Sequence, residues 1–317
     1  MNTYSSFKDL RILVNERVPM RDGVRLATTV FLPLEGESFP TVLVRMCYNR
    51  QHFSGMAHEF TRRGMAFVVQ DTRGRYGSEG HFYPFNLEEV DGLDTLDWLH
   101  EQPWCNDRVG MFGDSYMGAV QFAVAPTNHP LLTALNPRFI PGDTWQHAYY
   151  FDGVYCLGLT FSWLVLEVNS PVGEGYLTPM YDIAGLLRQL PLGTIDEKMG
   201  AKPSPAFRNL LKHATPDEHW KAWRWRQDFH KTTVPMLMTG GWYDYYAGDC
   251  FLNFAAMQSA PDPAVAASHR IIVGPWTHGL RYTSELGELD FGPQATTEDD
   301  HNVRWLDCLL KGGSSSD

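Results

Sequence analysis

The sequence has 317 residues, 44% of them hydrophobic and 20% charged, with a formal net charge of −11. That is an ordinary globular composition, long enough for one large domain or two modest ones with a core of enzyme size. An acidic chain without a run of basic residues argues against nucleic acid and membrane surfaces as partners, since both select clustered Lys and Arg. The five cysteines (Cys47, Cys105, Cys156, Cys250 and Cys308) are odd in number, widely spaced and free of Cys-x-x-Cys. They argue against a zinc site or a disulfide framework, and no metal or cofactor is expected. The first residues lack an apolar stretch behind a basic start, and nothing approaches the roughly 20 apolar residues of a membrane span. A cytoplasmic location is the expectation.

The first third reads as strands. RILVNERVPM and VRLATTVFLP are β-rich and separated by the turn RDG; PTVLVRM is a short continuous apolar run of the kind a buried strand needs. HEFTRRG predicts a helix closing at Gly64, and MAFVVQD the next strand. EEVDGLDTLDWLHEQ places Val90, Leu93, Leu96 and Leu99 at helical spacing. RVGMFG gives another buried strand and SYMGAVQFAVA a helix. Strands alternating with helices predict an α/β fold with a mostly parallel sheet covered on both faces.

From about Asn136 to Asp228 the rhythm changes. Aromatics crowd into DTWQHAYYFDGVY and FSWLVLEV, followed by helical pieces such as DIAGLLRQL and PAFRNLLKHA. Residues 141–228 are read as a helical cap inserted between two parts of the sheet domain, 1–140 and 229–312. Strand character returns in VPMLMTG and HRIIVGPW. A last helix, EDDHNVRWLDCLLKG, precedes a flexible tail at 313–317.

In an α/β sheet, ligands meet the chain at the carboxyl ends of the strands. Three such ends carry reactive residues. VGMFG leads to Ser115, VPMLMTGGWY to Asp244 and RIIVGPWT to His278. Ser, then Asp, then His is the chain order of an α/β-hydrolase triad. Ser115 Oγ would attack a carbonyl carbon. His278 would take its proton and pass it to the leaving group, and Asp244 would hold the imidazole. The Tyr116 N–H, at a helix start, is a candidate oxyanion donor. The turn departs from Gly-x-Ser-x-Gly by carrying Met117 two residues after the serine. Asp114 and Asp249 compete with Asp244, but Asp249 reads as a helix-start residue; His301 also lies downstream of His278, but in a predicted helix start. Asp71 and Arg73, before GRYGSEG, are read as a buried pair or a loop anchor, and KAWRWRQDF as cap surface and packing.

These residues resemble the CocE/NonD group of serine hydrolases, related to X-prolyl dipeptidyl peptidases and α-amino-acid ester hydrolases. The group's Gly-x-Ser-Tyr-x-Gly elbow is similar to Gly113-Asp-Ser-Tyr-Met-Gly118, Met117 included. VPMRDGVRLATTVFLP, RMCYNR, QDTRGRYGSEG, PWCNDRVGMFGDSYMG, GGWYDYYAG, VGPWTHG and RWLDCLLKG extend the likeness over nearly the whole chain apart from the cap. The resemblance implies an α/β-hydrolase fold with Ser115 as nucleophile, Asp244 as acid, His278 as base and the Tyr48 hydroxyl as second oxyanion donor beside the Tyr116 N–H. It points to Trp145, Tyr149 and Trp242 as candidate substrate contacts. It also implies a β jelly roll beyond this point, while the sequence closes at LLKGGSSSD, either as a short member or as a truncated one. A homodimer covering the exposed face is compatible with that.

The reaction expected is cleavage of a small-molecule carboxylic ester or amide through an acyl-enzyme. Three alternatives stay open: an acyltransferase or cyclase using the same triad, an X-prolyl-type exopeptidase, and a silent binding protein. An exopeptidase needs acidic groups for a free amine, for which Asp152, Glu167 and Glu174 are candidates.

Overall fold

The computed structural model describes residues 9–168, 182–199, 203–279, 283–296 and 298–315. Eight strands form one sheet: β1 (Leu10–Pro19), β2 (Arg25–Pro33), β3 (Phe39–Met46), β4 (Ala66–Asp71), β5 (Cys105–Asp114), β6 (Leu132–Arg138), β7 (Leu237–Gly241) and β8 (Arg270–Gly274). Their order across the sheet is β1-β2-β4-β3-β5-β6-β7-β8. β1 and β4 run antiparallel to β2, and the remaining neighbours are parallel. The mostly parallel sheet expected from the sequence is present.

Parallel strands need crossovers, and helices supply them. Between strands lie α1 (Ala57–Thr61), α2 (Glu88–His100), α3 (Tyr116–Val124), α4 (Ala247–Met257) and α5 (Pro263–Ser268), and α6 (Glu298–Leu310) follows β8. The alternation along β3 separates the two faces. Val42, Val44 and Met46 join Phe60 of α1 and Leu306, Leu309 and Leu310 of α6 in one buried cluster. Arg45 points the other way and meets Glu88 at the start of α2. α2 and α3 approach closely on that side: a Cβ on Gly92 would lie 2.5 Å from Val124 Cγ1.

β6 has no counterpart among the elements expected from the sequence. Its run, LTALNPR, contains Asn136 and Pro137, both poor strand formers. The fold accommodates Asn136 specifically. Asn136 Nδ2 donates to the Leu237 carbonyl at 2.7 Å and to Asn302 Oδ1 at 3.0 Å, and Thr239 Oγ1 donates to the same Asn302 oxygen at 2.8 Å. One buried side chain of α6 thus ties β6 to β7.

The chain divides into two compact units, residues 1–140 with 225–317 and residues 141–224. The second is stitched from short pieces: a π-helical turn at Trp145–Tyr149, a hairpin of Tyr150–Phe151 and Val154–Tyr155, and helices including Leu157–Phe161, Ile183–Leu187 and Pro205–Lys212. Its interior is aromatic, with Phe161, Phe207 and Trp220 fully buried. Of KAWRWRQDF, Trp223 closes this unit, while Trp225 and Phe229 are buried in the sheet unit, where Phe229 packs on Phe122. Among the described residues no helix is long and apolar enough to cross a membrane, and no disulfide is formed.

Candidate active site

The turn from β5 into α3 is a strained elbow. Ser115 has φ 55° and ψ −122°, a conformation that a non-glycine residue holds only when its surroundings insist on it. They do. Ser115 N–H donates to the Arg138 carbonyl at 2.8 Å, and the Ser115 carbonyl accepts from Gly118 and Ala119 N–H as α3 begins. Gly113 sits at φ 142°, and a Cβ there would lie 2.4 Å from Met117 Cβ. A Cβ on Gly118 would lie 2.6 Å from Ile140 Cγ2. The elbow therefore needs a glycine beneath Met117 and another against Ile140, which is why it reads Gly-x-Ser-x-x-Gly.

β7 and β8 deliver the two partners. The loops beyond them are laced together: Trp242 N–H donates to the Gly274 carbonyl and Tyr243 N–H to that of Trp276. Trp276 anchors the crossing, buried and bonded through Nε1 to the Ala295 carbonyl at 2.6 Å. It fills the space a side chain at Gly241 or Gly274 would need.

On this frame His278 Nε2 lies 3.2 Å from Ser115 Oγ, and His278 Nδ1 lies 2.9 Å from Asp244 Oδ2. The carboxylate at Nδ1 keeps a proton on that nitrogen, which leaves Nε2 as the acceptor facing the hydroxyl. The Asp244 side chain is only 1% exposed. Its second oxygen accepts the Tyr246 N–H at 2.6 Å, so the carboxylate is oriented from both sides. The rival carboxylates are engaged elsewhere. Asp114 pairs with Arg138, and Asp249 pairs with Arg226. His301 lies in α6.

An aromatic frame holds the imidazole. Tyr245 stacks on it with centroids 4.7 Å apart and planes 27° from parallel. Tyr246 and Phe139 meet it edge-on at 5.5 and 6.4 Å. Sequence reasoning missed this frame. The only signal was the doubled tyrosine after Asp244, which does not say which ring faces what.

Tyr48 lies two residues past β3. Its ring meets that of Tyr116 edge-on at 6.5 Å. The loop behind Tyr48 is tethered to the end of β4. Asp71 accepts the Arg50 N–H at 2.7 Å, pairs with the Arg50 guanidinium and takes the Gly77 N–H at 3.2 Å. Asp71 and Arg73 are thus loop anchors with separate partners, Arg73 pairing with Asp91 and Asp22.

The substrate candidates stand apart in kind. Trp242 is 64% exposed and touches Phe251 edge-on. Trp145 and Tyr149 belong to the 141–224 unit. There Trp145 stacks on Tyr150 and bonds the Ala214 carbonyl, while Tyr149 is buried against Trp220. Asp152 is exposed on the hairpin turn of that unit. Glu174 and the side chain of Glu167 lie outside the described residues. Among the described residues no group of three or more His, Cys, Asp or Glu side chains could hold a metal.

Comparison with known proteins places this geometry in context. The family model for X-Pro dipeptidyl-peptidase (S15 family) matches residues 22–280. Cocaine esterase of Rhodococcus sp. (strain MB1 Bresler) is 31% identical over 306 residues, covering 89% of this chain and 51% of that protein. The chain spans about half the length of the curated relatives it matches. Among solved structures, an aminopeptidase from the marine sediment archaeon Thaumarchaeota archaeon superposes with a TM-score of 0.82 at 23% identity, over 99% of this chain and 57% of that one. An α-amino acid ester hydrolase gives 0.78 at 24%, over 98% and 55%. A CocE/NonD family hydrolase from Staphylococcus aureus gives 0.66 at 18%, over 95% and 51%. At these identities the structural likeness establishes the shared fold.

Proposed function

The chain belongs to the X-Pro dipeptidyl-peptidase (S15) family, and from that premise we propose that it is a serine hydrolase acting on carboxylic esters or amides through an acyl-enzyme. The observation that carries the reading is the hydrogen-bonded line from Ser115 Oγ through His278 to Asp244, assembled from the ends of three strands. Relatives named as an esterase, an amino-acid ester hydrolase and an aminopeptidase support both ester and amide bonds as targets.

In this reading Ser115 Oγ attacks the acyl carbon as His278 Nε2 takes its proton. The Asp244 carboxylate stabilises the imidazolium. Negative charge collects on the former carbonyl oxygen, where the Tyr116 N–H and the Tyr48 O–H donate to it. Collapse expels the alcohol or amine, which leaves with the proton from His278. Water then repeats the sequence on the ester of Ser115 and releases the acid.

Intact-mass measurement during turnover of p-nitrophenyl esters of several chain lengths, and of an amino-acid p-nitroanilide, tests this. A burst with an acyl adduct in the wild type and none in Ser115→Ala is expected, and the adduct mass reports the acyl group accepted. Equal turnover by Ser115→Ala would sink the reading.

A further inference from the structure

One buried carboxylate in the sheet unit has no part in the triad. Glu88 begins α2 and is 3% exposed. Its Oε1 accepts the Tyr116 O–H at 2.6 Å. Its Oε2 lies 3.0 Å from Nη1 of Arg45, which is itself wholly buried, and the Glu88 carbonyl accepts from the same Nη1 at 3.0 Å. Arg45 Nε donates in turn to Gln70 Oε1 at 2.8 Å, and Thr95 Oγ1 donates to that oxygen at 3.1 Å.

The network converges on the residue that follows the nucleophile. The Tyr116 ring is fixed on several sides. Phe85 stacks on it at 5.0 Å and 17°, Phe82 tilts against it at 6.0 Å, and Tyr48 meets it edge-on. The phenol oxygen accepts the Phe85 N–H at 3.1 Å while donating to Glu88. Arg45 lies on β3 three residues before Tyr48. A single buried ion pair therefore links β3, the strand that leads to Tyr48, to the phenol of Tyr116.

Desolvating an ion pair at this depth is costly, and an apolar pair of similar volume often serves a core as well or better. Burial raises the Glu88 carboxyl, and the Arg45 charge acts against that rise. What the pair supplies beyond packing is direction. A phenol fixed at its oxygen and on its faces pins the far end of the side chain, and through the short Cβ–Cα link it limits how far the Tyr116 backbone at the start of α3 can shift. The elbow at Ser115 is strained and needs such over-determination.

We propose that Glu88 is a positioning residue of the oxyanion hole, setting through the Tyr116 phenol where the Tyr116 peptide N–H points when the acyl oxygen gains charge. This rests on the reading that Tyr116 N–H and Tyr48 O–H bind that oxygen. Donors misaimed by a fraction of an ångström weaken the transition state more than the bound substrate. The expected signature is therefore a fall in kcat with KM held.

The test is steady-state kinetics with a p-nitrophenyl ester, normalised to Ser115 sites titrated by a fluorophosphonate, for Tyr116→Phe, Glu88→Gln, the double variant and Tyr48→Phe. Tyr116→Phe keeps the ring and the ion pair, so it is the variant least prone to misfold. It is expected to lose about ten- to hundredfold in kcat per titrated site with KM within about twofold. Glu88→Gln is expected to fall in the same direction, and the double variant to be no worse than the weaker single. A merely structural role would lower the number of titrated sites and the melting temperature but leave kcat per site intact, which would overturn the proposal. Loss at Tyr48→Phe with none at Tyr116→Phe overturns this proposal alone. No loss at either overturns the oxyanion reading and the proposal with it.

Discussion

The side chain of Met117 occupies the space over the α-carbon of Gly113, so that a methyl group at 113 would sit 2.4 Å from Met117 Cβ. Both residues belong to the elbow that presents Ser115, and each dictates the other. Gly113→Ala adds this clash to a φ of 142° that an L-residue rarely adopts. The substitution should destabilise the fold by about 2 kcal/mol or more. Urea unfolding of Gly113→Ala and of Gly113→Ala/Met117→Ala checks it. The second variant keeps the Cβ at 117, the nearest atom, and sheds only Cγ and Sδ at 3.3 Å, so it should recover little of the loss. Identical midpoints for wild type and Gly113→Ala would show that the elbow shifts without cost.

Tyr48 offers a sharper test of the chemistry than the triad does. Tyr48→Phe keeps the ring that packs on Tyr116 and removes only the hydroxyl. Loss of one oxyanion donor costs on the order of 10²–10³ in kcat, and that is the expected loss in ester hydrolysis. A change of less than about threefold, with the fold intact by circular dichroism, would remove Tyr48 from the mechanism.

Tyr245 should matter through His278. Aromatic pairs of this geometry contribute about 0.5–1.5 kcal/mol beyond simple burial, and a cationic imidazolium over a phenol gains somewhat more. Tyr245→Ala should therefore lower kcat/KM by roughly three- to tenfold, while Tyr245→Phe stays close to wild type. Equal activity in all three proteins would reduce the stack to surface packing.

His269 gives the fold a dependence on pH that is separate from catalysis. It is buried beside β8, and its Nδ1 accepts the Met236 N–H at 3.2 Å. Burial, and then the neighbouring Arg270 charge, push it down to about 4. The unfolded chain takes up a proton at the ordinary imidazole value of about 6.5, which the folded chain refuses until about pH 4. Native stability is thus fully present above that ordinary value and is lost progressively as pH falls through the window between the two. His269→Asn, which retains an acceptor near the Nδ1 position, should flatten this slope. Urea midpoints between pH 4 and 7 decide the matter, and parallel curves for both proteins would clear His269.

Much of the sheet unit was legible in the sequence, because buried parallel strands announce themselves as apolar runs. VGMF and its glycines located the elbow, and the order of three strand ends picked Ser115, Asp244 and His278 out of many hydroxyls, carboxylates and imidazoles. β6 was not legible. Its apolar character is broken by Asn136 and Pro137, and the role of Asn136 depends on a partner as distant in sequence as Asn302. The partners of Asp71 and Arg73 were hidden for the same reason: adjacency in the chain suggested a pair, while strand β4 sends them to Arg50 and Asp91. The frame of Tyr245, Tyr246 and Phe139 around His278 depends on side-chain direction, which spacing alone does not carry.

The clamp made by Asn302 on β6 and β7 bears on how the protein acquires its reactivity. Ser115 and His278 are 163 residues apart, and His278 and Asp244 are 34 apart. Contacts of such span form late, after the entropy of closing the intervening chain has been overcome. In the proposed mechanism, a serine on a finished elbow would remain an ordinary alcohol until β7 and β8 join the sheet and bring His278 and Asp244 to it. On the proposed mechanism, Ser115 should become reactive toward a fluorophosphonate during refolding only once β7 and β8 have joined the sheet.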